Sequence, residues 1–254
     1  MRDGNGSDGD GARVLDAGAN TVRIFCDFDG TIVAEDVGDA FFERFSGPEM
    51  REDTRKLRAG EFGIREVFDR ALSRMATLNP ETFDAFVSAF SPEAGFGTFV
   101  SWTRERGYPL MILSDGLDAY VSRILHRAGL EVAFRANAFS FDEDGTCSIA
   151  LPYRDEFCTR CGTCKRNQML VHSADKDVIV YIGDGFSDFC PSAYADIVYA
   201  KGELETHCRE QNISFRRFTS FDDVRTDLAS MCARRSLHRP RRAVLNRQAL
   251  WSSG

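Results

Sequence analysis

Three short apolar runs, each closed by small and polar residues, set the pattern of hydrophobic positions along this chain. The runs cover residues 21–29, 109–114 and 178–183 and are rich in β-branched and aromatic side chains. Each ends in a cluster of Gly, Asp or Ser and is followed by a segment with helical spacing. Buried parallel strands have this composition because helices cover both faces of their sheet. The pattern predicts an α/β fold built on a parallel sheet.

A long stretch of helical spacing separates the first two predicted strands. Phe41, Phe42 and Phe45, for example, fall on one face of a helix with 3.6 residues per turn. The connection between two parallel strands needs only one helix, and residues 96–106 suffice for it. We therefore predict an all-helical cap, inserted after the first strand at residues 36–91.

These patterns divide the chain into four parts. A flexible leader is predicted at residues 1–20, a Rossmann-like catalytic core with helices on both faces at 21–35 and 92–232, the helical cap at 36–91, and a basic, disordered tail at 233–254. Within the core, residues 131–141 and 147–151 flank a turn and predict a β-hairpin.

Composition and charge narrow the class of protein. The chain has 254 residues, of which 43% are hydrophobic and 28% charged, as in a soluble globular protein. No apolar run approaches the roughly 18 residues of a membrane span. The formal net charge is −7, although the last 25 residues hold six Arg and no acidic residue. An acidic body disfavours nucleic acid and suits the recruitment of a divalent cation. We expect no nucleic-acid or membrane partner, and the aromatic-rich cap is compatible with a homodimer.

Eight irregularly spaced cysteines do not form the disulfide framework of a small secreted protein. The N-terminus also lacks the apolar core of a signal peptide, so we expect a reducing, cytoplasmic environment. Cys158, Cys161 and Cys164 have the spacing of a metal-binding knuckle. Structural zinc needs a fourth ligand, and Cys147 and His172 do not stand at the usual spacing. Whether these cysteines bind zinc is left open at this point, and a loop with free thiols is the favoured interpretation.

Two carboxylates leave the end of the first predicted strand on the same side. Asp27 and Asp29 are separated by one residue, and side chains so placed in an extended segment point the same way. Carboxylates this close either share a proton or hold a cation, and both outcomes serve an enzyme. Gly30 permits a sharp turn, and Thr31 offers a hydroxyl and an N–H group to an anion.

Polar side chains also follow the other two predicted strands. Asp184 ends the third strand, with Asp188 one helical turn later, and Ser114 and Gly116 follow the second strand. Four carboxylates at one sheet edge form an oxygen-only ligand set that favours Mg²⁺, whereas hydroxyl and free N–H groups hold phosphate oxygens. Lys165 opens the helix before the third strand. Its ammonium group can neutralise a nucleophilic carboxylate and a phosphoryl oxygen.

Four motifs in this order resemble the haloacid dehalogenase-like superfamily of phosphatases. They are Asp27-Phe28-Asp29-Gly30-Thr31, Ser114 within Ile112-Leu113-Ser114-Asp115-Gly116, Lys165, and Gly183-Asp184-Gly185-Phe186-Ser187-Asp188. The resemblance covers residues 21 to about 231, and the helical insertion is similar to the cap of the branch that contains phosphoserine phosphatase.

Two groups within that branch share further features with this chain. The segment Cys161-Gly162-Thr163-Cys164-Lys165 is similar to the methionine-salvage phosphatases acting on 2-hydroxy-3-keto-5-methylthiopentenyl-1-phosphate. The segment from Asp184 to Pro191 instead resembles the phosphoethanolamine/phosphocholine phosphatases.

The resemblance implies a Mg²⁺-dependent phosphomonoester hydrolase that acts on a small phosphorylated metabolite through an aspartyl-phosphate. Asp27 is then the nucleophile, Asp29 the general acid and base, and Lys165 a further catalytic group. The implied phosphate-binding residues are Thr31, Ser114, Gly116 and Lys165; the implied metal-binding residues are Asp27, Asp29 through its carbonyl, Asp184 and Asp188; the candidates for substrate specificity are Glu35 and Asp36.

Three alternatives stay open at the level of sequence. Asp36 and Glu35 are equally suited to place negative charge at the start of the first cap helix. The same catalytic residues serve a phosphoryl transferase or mutase, and the same scaffold serves a non-catalytic binding protein. Halide chemistry is disfavoured, because a dehalogenase needs neither Asp29 as an acid nor a metal.

Overall fold

A computed structural model describes residues 21–142, 145–234, 237 and 239–251 of the chain. The predicted leader and part of the predicted tail lie outside these residues. The strands are β1 (Val22–Cys26), β2 (Leu110–Leu117), β3 (Ala133–Phe141), β4 (Cys147–Ala150), β5 (Val178–Gly183), β6 (Ile197–Ala200) and β7 (Arg216–Arg217). They form one sheet in the order β4-β3-β2-β1-β5-β6-β7, in which only the β3–β4 pair is antiparallel among the described strands. The predicted α/β fold is therefore confirmed.

Helices connect the parallel strands. Those before β2 are α1 (Val37–Ser46), α2 (Met50–Ala59), α3 (Ile64–Arg74), α4 (Pro80–Val87) and α5 (Phe96–Arg106). Those after it are α6 (Asp118–Arg127), α7 (Lys165–Val171), α8 (Phe189–Ser192), α9 (Gly202–Glu210), α10 (Phe221–Ala233) and α11 (Arg241–Trp251), with a 3₁₀ turn at Phe186–Asp188 before α8. Within the described ranges, no helix has the length and apolar character to cross a membrane.

A hydrophobic cluster covers each face of the sheet. Alternate residues of a strand point to opposite faces, and in β1 Ile24 and Cys26 belong to the larger cluster while Phe25 belongs to the smaller. In β5, Ile182 and Tyr181 divide between the two clusters in the same way. All five side chains are buried. The unbroken apolar runs in the sequence therefore reflect burial on both sides.

Local polar signals explain where two of the helices after β1 begin. The Asp36 carboxylate accepts the Asp39 N–H at 2.7 Å and caps α1. The side chain of Asn79 accepts the Thr82 N–H at 2.8 Å, and Pro80 occupies the first turn of α4, where its missing N–H is not needed.

Aromatic side chains join these helices to the core. Phe41 in α1 contacts Phe83 in α4 and Phe139 in β3, with ring centroids 5.5 and 5.7 Å apart. Phe83 also stacks on Phe139 at 5.6 Å. Each such pair contributes about 0.5–1.5 kcal/mol beyond its buried area. The helix α4 therefore packs both on α1 and on the β-hairpin of the predicted core. Such packing does not separate cap from core, so the cap boundary at residue 91 stays a prediction.

The chain after α10 differs from the disordered tail that its charge led us to expect. The helix α11 packs on the core, with Ala243 buried. The buried guanidinium of Arg247 donates to the Tyr194 carbonyl at 2.5 Å and to the Asp196 carboxylate at 2.8 Å. Asp196 also accepts the N–H of Ile179 at 2.9 Å. A buried carboxylate needs a cation or hydrogen bonds, and this requirement explains why a basic segment becomes ordered here.

Candidate active site

The candidate active site lies where three neighbouring parallel strands end. β1 sits between β2 and β5 in the sheet. Asp27 follows the last residue of β1, Ser114 and Gly116 lie near the end of β2, and Asp184 follows β5. The carboxyl ends of adjacent parallel strands share one sheet edge, so these residues meet although the sequence separates them widely.

Three carboxylates form the centre of the site. One oxygen each from Asp27, Asp184 and Asp188 lie within 4.8 Å of one another. The turn at Gly30 makes room for them, because a Cβ atom there would lie 2.3 Å from Asp184 Oδ2. Gly30 also has a φ of +73°, which side chains disfavour. Thr31 donates its hydroxyl to Asp184 Oδ1 at 2.6 Å.

Lys165 links two of these carboxylates. Its Nζ lies 2.5 Å from Asp27 Oδ1, 2.7 Å from Asp188 Oδ1 and 2.7 Å from the hydroxyl of Ser187. Burial lowers the pKa of this amine, but the two carboxylates outweigh burial and raise it. Burial and the charge of Asp188 raise the pKa of Asp27 well above its usual range, while Lys165 opposes the rise. The lysine therefore favours the ionised carboxylate that a nucleophile requires.

Asp188 has hydrogen bonds at both carboxylate oxygens. Oδ1 accepts from Lys165 and from the Tyr181 hydroxyl, the latter at 2.6 Å. Oδ2 accepts the N–H groups of Asp184 and Gly185 at 2.9 and 3.0 Å. Burial alone would raise the pKa of Asp188, but Lys165 and these hydrogen bonds lower it. The side chain is thereby held as a carboxylate that orients Lys165 and the turn after β5.

Asp29 occupies a separate position beside the carboxylate group. Its Oδ2 accepts from the hydroxyls of Tyr120 at 2.8 Å and Ser114 at 3.1 Å, and its Oδ1 accepts the Val37 N–H at 3.0 Å. Burial and the charge of Asp36 raise the pKa of Asp29 to about 7, although the two hydroxyl groups oppose the rise. A carboxyl group that titrates near neutral pH is suited to donate and accept protons.

The phosphate-binding groups expected from the sequence occupy different positions in the site. Thr31 and Ser114 are fully buried and direct their hydroxyls to Asp184 and Asp29. Gly116 lines the cavity and donates its N–H to Ser114 Oγ at 3.0 Å. The roles of these residues toward phosphate stay predictions.

A cavity of about 370 Å³ opens above the carboxylates. Asp27, Asp29 and Asp184 contribute to its floor, and α1, α2 and α3 supply an apolar wall. The apolar residues of that wall are Phe42, Met50, Leu57, Ile64, Val67 and Phe68. Asp36 lines the cavity as well as capping α1, so both of its proposed uses remain compatible with its position. Glu35 is exposed and is not among the residues that line the cavity.

The family model of the haloacid dehalogenase-like hydrolases matches residues 24–190. The chain belongs to this family. The matched span runs from β1 to the start of α8 and includes the central carboxylates, Lys165 and helices α1 to α7. The expected superfamily is confirmed.

Comparisons with individual proteins show which relatives and solved structures this hydrolase is similar to. A 2-hydroxy-3-keto-5-methylthiopentenyl-1-phosphate phosphatase of Bacillus cereus (strain AH820) is 28% identical over 211 residues, which cover 82% of this chain and 96% of the relative. A phosphoserine phosphatase from T. onnurineus superposes with a TM-score of 0.61 at 17% identity, covering 85% of this chain and 98% of the other. A phospho-aspartyl intermediate analogue of phosphoserine phosphatase gives 0.56 at 20% identity, covering 74% and 91%. The predicted phosphatase class is confirmed.

Two residues of the hydrolase site were missed by sequence reasoning. Tyr120 in α6 holds Asp29, and a Cβ atom on Gly116 would lie 1.5 Å from the Tyr120 hydroxyl. Asp115 lines the cavity, and burial raises its pKa to about 6. The position of Asp115 between two predicted phosphate-binding residues could have indicated that it lies at the site. Tyr120 belongs to no motif in the sequence and could not have been identified in this way.

The cysteine segment forms no dense ligand group. Cys158 and Cys161 are partly exposed, and Cys164 is buried. Across the described residues, the only three His, Cys, Asp or Glu ligand atoms found within 4.8 Å of one another are those of the aspartate group.

Proposed function

We propose that this phosphatase hydrolyses small phosphate monoesters through an aspartyl-phosphate on Asp27. The supporting observation is the pairing of two different carboxyl groups at the cavity floor. Asp27 bonds to the buried ammonium of Lys165, whereas Asp29 is held by neutral hydroxyl and N–H donors. Two carboxyl groups with such different hydrogen-bond partners differ in how readily they hold a proton. This difference suits one for nucleophilic attack and the other for proton transfer.

In the proposed reaction, an Asp27 oxygen forms a bond to phosphorus while the bond from phosphorus to the ester oxygen breaks. Asp29 gives its proton to the departing oxygen. Asp29 then takes a proton from water as that water attacks the aspartyl-phosphate, which releases phosphate and restores Asp27. Lys165 and the N–H of Gly116 are the groups proposed to stabilise negative charge on the phosphoryl oxygens.

We propose Mg²⁺ as the cofactor. The carboxylates of Asp27 and Asp184 and the carbonyl of Asp29 are the proposed ligands, with Asp188 beside them. Burial raises the pKa of Asp184 to about 6, and Asp188 adds to the rise. Crowded carboxylates raise one another's pKa when no cation lies between them. Such a set of oxygen donors fits a hard divalent cation. When bound, such a cation neutralises charge on the phosphoryl group.

Removal of divalent cations tests the cofactor. We expect a chelator to abolish hydrolysis of p-nitrophenyl phosphate and added Mg²⁺ to restore it, since uncompensated carboxylates would repel the substrate. Full activity after chelation, or full restoration by zinc alone, would contradict the proposed ligand set.

Substitution of the nucleophile tests the reaction. We expect Asp27→Asn to lower phosphate release by at least about 10³-fold, because the amide cannot form the aspartyl-phosphate. Asp175→Asn, which changes an exposed carboxylate in the turn before β5, is the control and should leave the rate unchanged. A comparable rate in Asp27→Asn would remove the assignment.

Product analysis separates hydrolysis from the alternatives. A hydrolase releases one inorganic phosphate for each ester consumed, even with alcohols added as acceptors. Transfer of most phosphoryl groups to an acceptor would instead indicate a transferase or mutase, and a binding protein would consume no ester.

We also propose that the substrate carries an apolar end. The cavity wall from α1, α2 and α3 has six apolar side chains beside Asp39, Thr54 and Arg58, and this apolar part suits a methylthio or alkyl group. The Bacillus cereus relative, named for a methylthiopentenyl phosphate, is consistent with this chemistry. A higher kcat/KM for that ester than for phosphoserine, phosphoethanolamine or phosphocholine is expected. A preference for an ammonium-bearing ester would instead favour Asp36 and Asp39 as the head-group site.

A further inference from the structure

Two cysteines outside the proposed chemistry face each other beside the active site. Cys161 is partly exposed and Cys164 is buried, and both are free thiols. The Cys161 side chain hydrogen-bonds to the sulfur of Cys164. Only Gly162 and Thr163 separate them. Two thiols this close, joined by a short turn, can form a disulfide if the turn is able to rearrange.

The turn between the two cysteines is tied to the cavity. The N–H groups of Gly162 and Thr163 donate to Asp115 Oδ1 at 2.7 and 2.9 Å. A Cβ atom on Gly162 would lie 2.4 Å from Asn137 Oδ1, so the turn is closely packed. A movement of this turn must therefore disturb Asp115, which lines the cavity.

The second cysteine is also the residue before the active-site lysine. Cys164 is the N-cap residue of α7, and Lys165 is the first residue of that helix. The Nζ of Lys165 lies within 2.7 Å of Asp27 and Asp188. The backbone of the cysteine pair is thus connected to the proposed nucleophile on one side and to Asp115 on the other.

The electrostatic environment favours reaction at this pair. The hydrogen bond from Cys161 lowers the pKa of Cys164 to about 7, although burial opposes the change. A hydrogen bond from the Asn167 N–H and the charge of Arg166 act in the same direction as Cys161. Thiolates, and not thiols, attack disulfides, so a pair that shares one proton near neutral pH is reactive.

We propose that Cys161 and Cys164 form a reversible redox site, at which a low-molecular-weight disulfide converts the two thiols into an intramolecular disulfide. The proton of Cys161 passes to Cys164, and the Cys161 sulfur attacks the oxidant, forming a mixed disulfide and releasing one thiolate. The Cys164 sulfur then attacks the Cys161 sulfur, and the second thiolate leaves. The oxidant gains two electrons, takes one proton from the pair and one from water, and is released as two thiols.

The effect on activity rests on the proposed function. The sulfur atoms must approach to about 2.05 Å, which requires movement of the Gly162-Thr163 turn and of the start of α7. Lys165 then shifts relative to Asp27. A small displacement of a group that positions the reacting atoms lowers the rate strongly, so the oxidised protein is less active than the reduced protein.

Peptide mapping after treatment with oxidised glutathione tests the redox site independently of activity. Trypsin cleavage after Arg160 and Lys165 releases the peptide Cys161-Gly162-Thr163-Cys164-Lys165, which contains both cysteines of the pair and no others. After the remaining thiols are alkylated, we expect this peptide to be two hydrogens lighter and unalkylated, and dithiothreitol to reverse the change. An alkylated peptide at every oxidant concentration would overturn the proposal, whether or not the protein hydrolyses phosphate esters.

Activity measurements on the same samples test the consequence. We expect at least about a tenfold fall in hydrolysis of p-nitrophenyl phosphate upon oxidation, restored by dithiothreitol. Cys161→Ser and Cys164→Ser should each lose this response, judged against their own reduced rate. The control variants Cys158→Ser and Cys190→Ser should keep it. Loss of the response in the controls, or stoichiometric zinc in the purified protein that all four variants release, would contradict a two-cysteine redox site and indicate a metal site.

Discussion

The Tyr120 hydroxyl has a specific relation to one proposed catalytic group. It donates to the same Asp29 oxygen that receives the Ser114 hydroxyl, and it is fully buried. With three donors on two oxygens, the carboxyl group has little freedom to rotate. We regard Tyr120 as a positioning residue, since it reaches Asp29 and not the carboxylate group around Asp27.

We expect Tyr120→Phe to lower kcat about three- to tenfold with little change in KM, because it removes one hydrogen bond of about 1 kcal/mol. The matched control is Tyr199→Phe, which deletes a hydroxyl that donates to Asp227 at 2.9 Å, away from the cavity lining. Steady-state kinetics on both variants checks the expectation. Equal effects in the two variants would show that the loss is general and not specific to Asp29.

At the scale of elements, a buried carboxylate joins α2 to α3. Asp53 in α2 accepts from Arg70 at 3.1 Å and from Arg74 at 2.6 Å, both in α3. The carboxylate is almost inaccessible, while the two guanidinium groups are partly exposed. Burial alone would raise the pKa of Asp53, but the hydrogen bonds and charges of the two arginines lower it. The ion pairs therefore fix the angle between two helices that line the cavity.

We expect Asp53→Asn to reduce the free energy of unfolding by about 1–3 kcal/mol at pH 7. A carboxyl group whose pKa is lower in the folded state stabilises the protein above its unfolded pKa, and this contribution is lost as the pH falls through the folded value. The difference between the variant and the natural protein should therefore shrink below about pH 4. Urea denaturation from pH 3 to 7 measures it. Asp69→Asn, an exposed position on α3, should show no such difference.

The sequence was sufficient to predict the elements that are buried on both sides. The apolar runs at β1, β2 and β5 are typical of strands that helices cover on both faces. The polar residues at the ends of these runs place Asp27 and Asp184 at one edge of the sheet. Contacts made by a single side chain across elements were not predictable in this way. Tyr120 reaches Asp29 only because α6 starts directly after β2, and no residue pattern records that distance.

At the scale of the whole molecule, α11 holds the far end of the sheet. Arg247 binds Asp196, and Asp196 binds the N–H of Ile179 near the start of β5. The candidate active site lies at the other end of that strand, after Gly183. Arg247 and Asp196 are 51 positions apart in the sequence. The excess of arginine at the C-terminus therefore predicted a solvated tail, although the fold forms a specific ion pair there.

We expect Arg247→Ala to lower the free energy of unfolding by about 2–4 kcal/mol, because the change leaves the Asp196 carboxylate buried without its closest cation. The kcat of the folded variant should stay within about twofold of the natural value, since the ion pair and the proposed catalytic groups occupy opposite ends of β5. Urea denaturation and steady-state kinetics provide the two readings. Arg241→Ala, an exposed arginine of the same helix, is the control. An unchanged stability of Arg247→Ala would show that α11 is not coupled to the core.

One hydrogen bond connects Asp29, the proposed general acid, directly to α1. The N–H of Val37, the first residue of α1, ends on Asp29 Oδ1. Any tilt of α1 must lengthen or shorten this bond and so alter how firmly Asp29 retains its proton. The position of α1, which contributes Phe42 to the cavity wall, and the proton affinity of Asp29 are therefore linked.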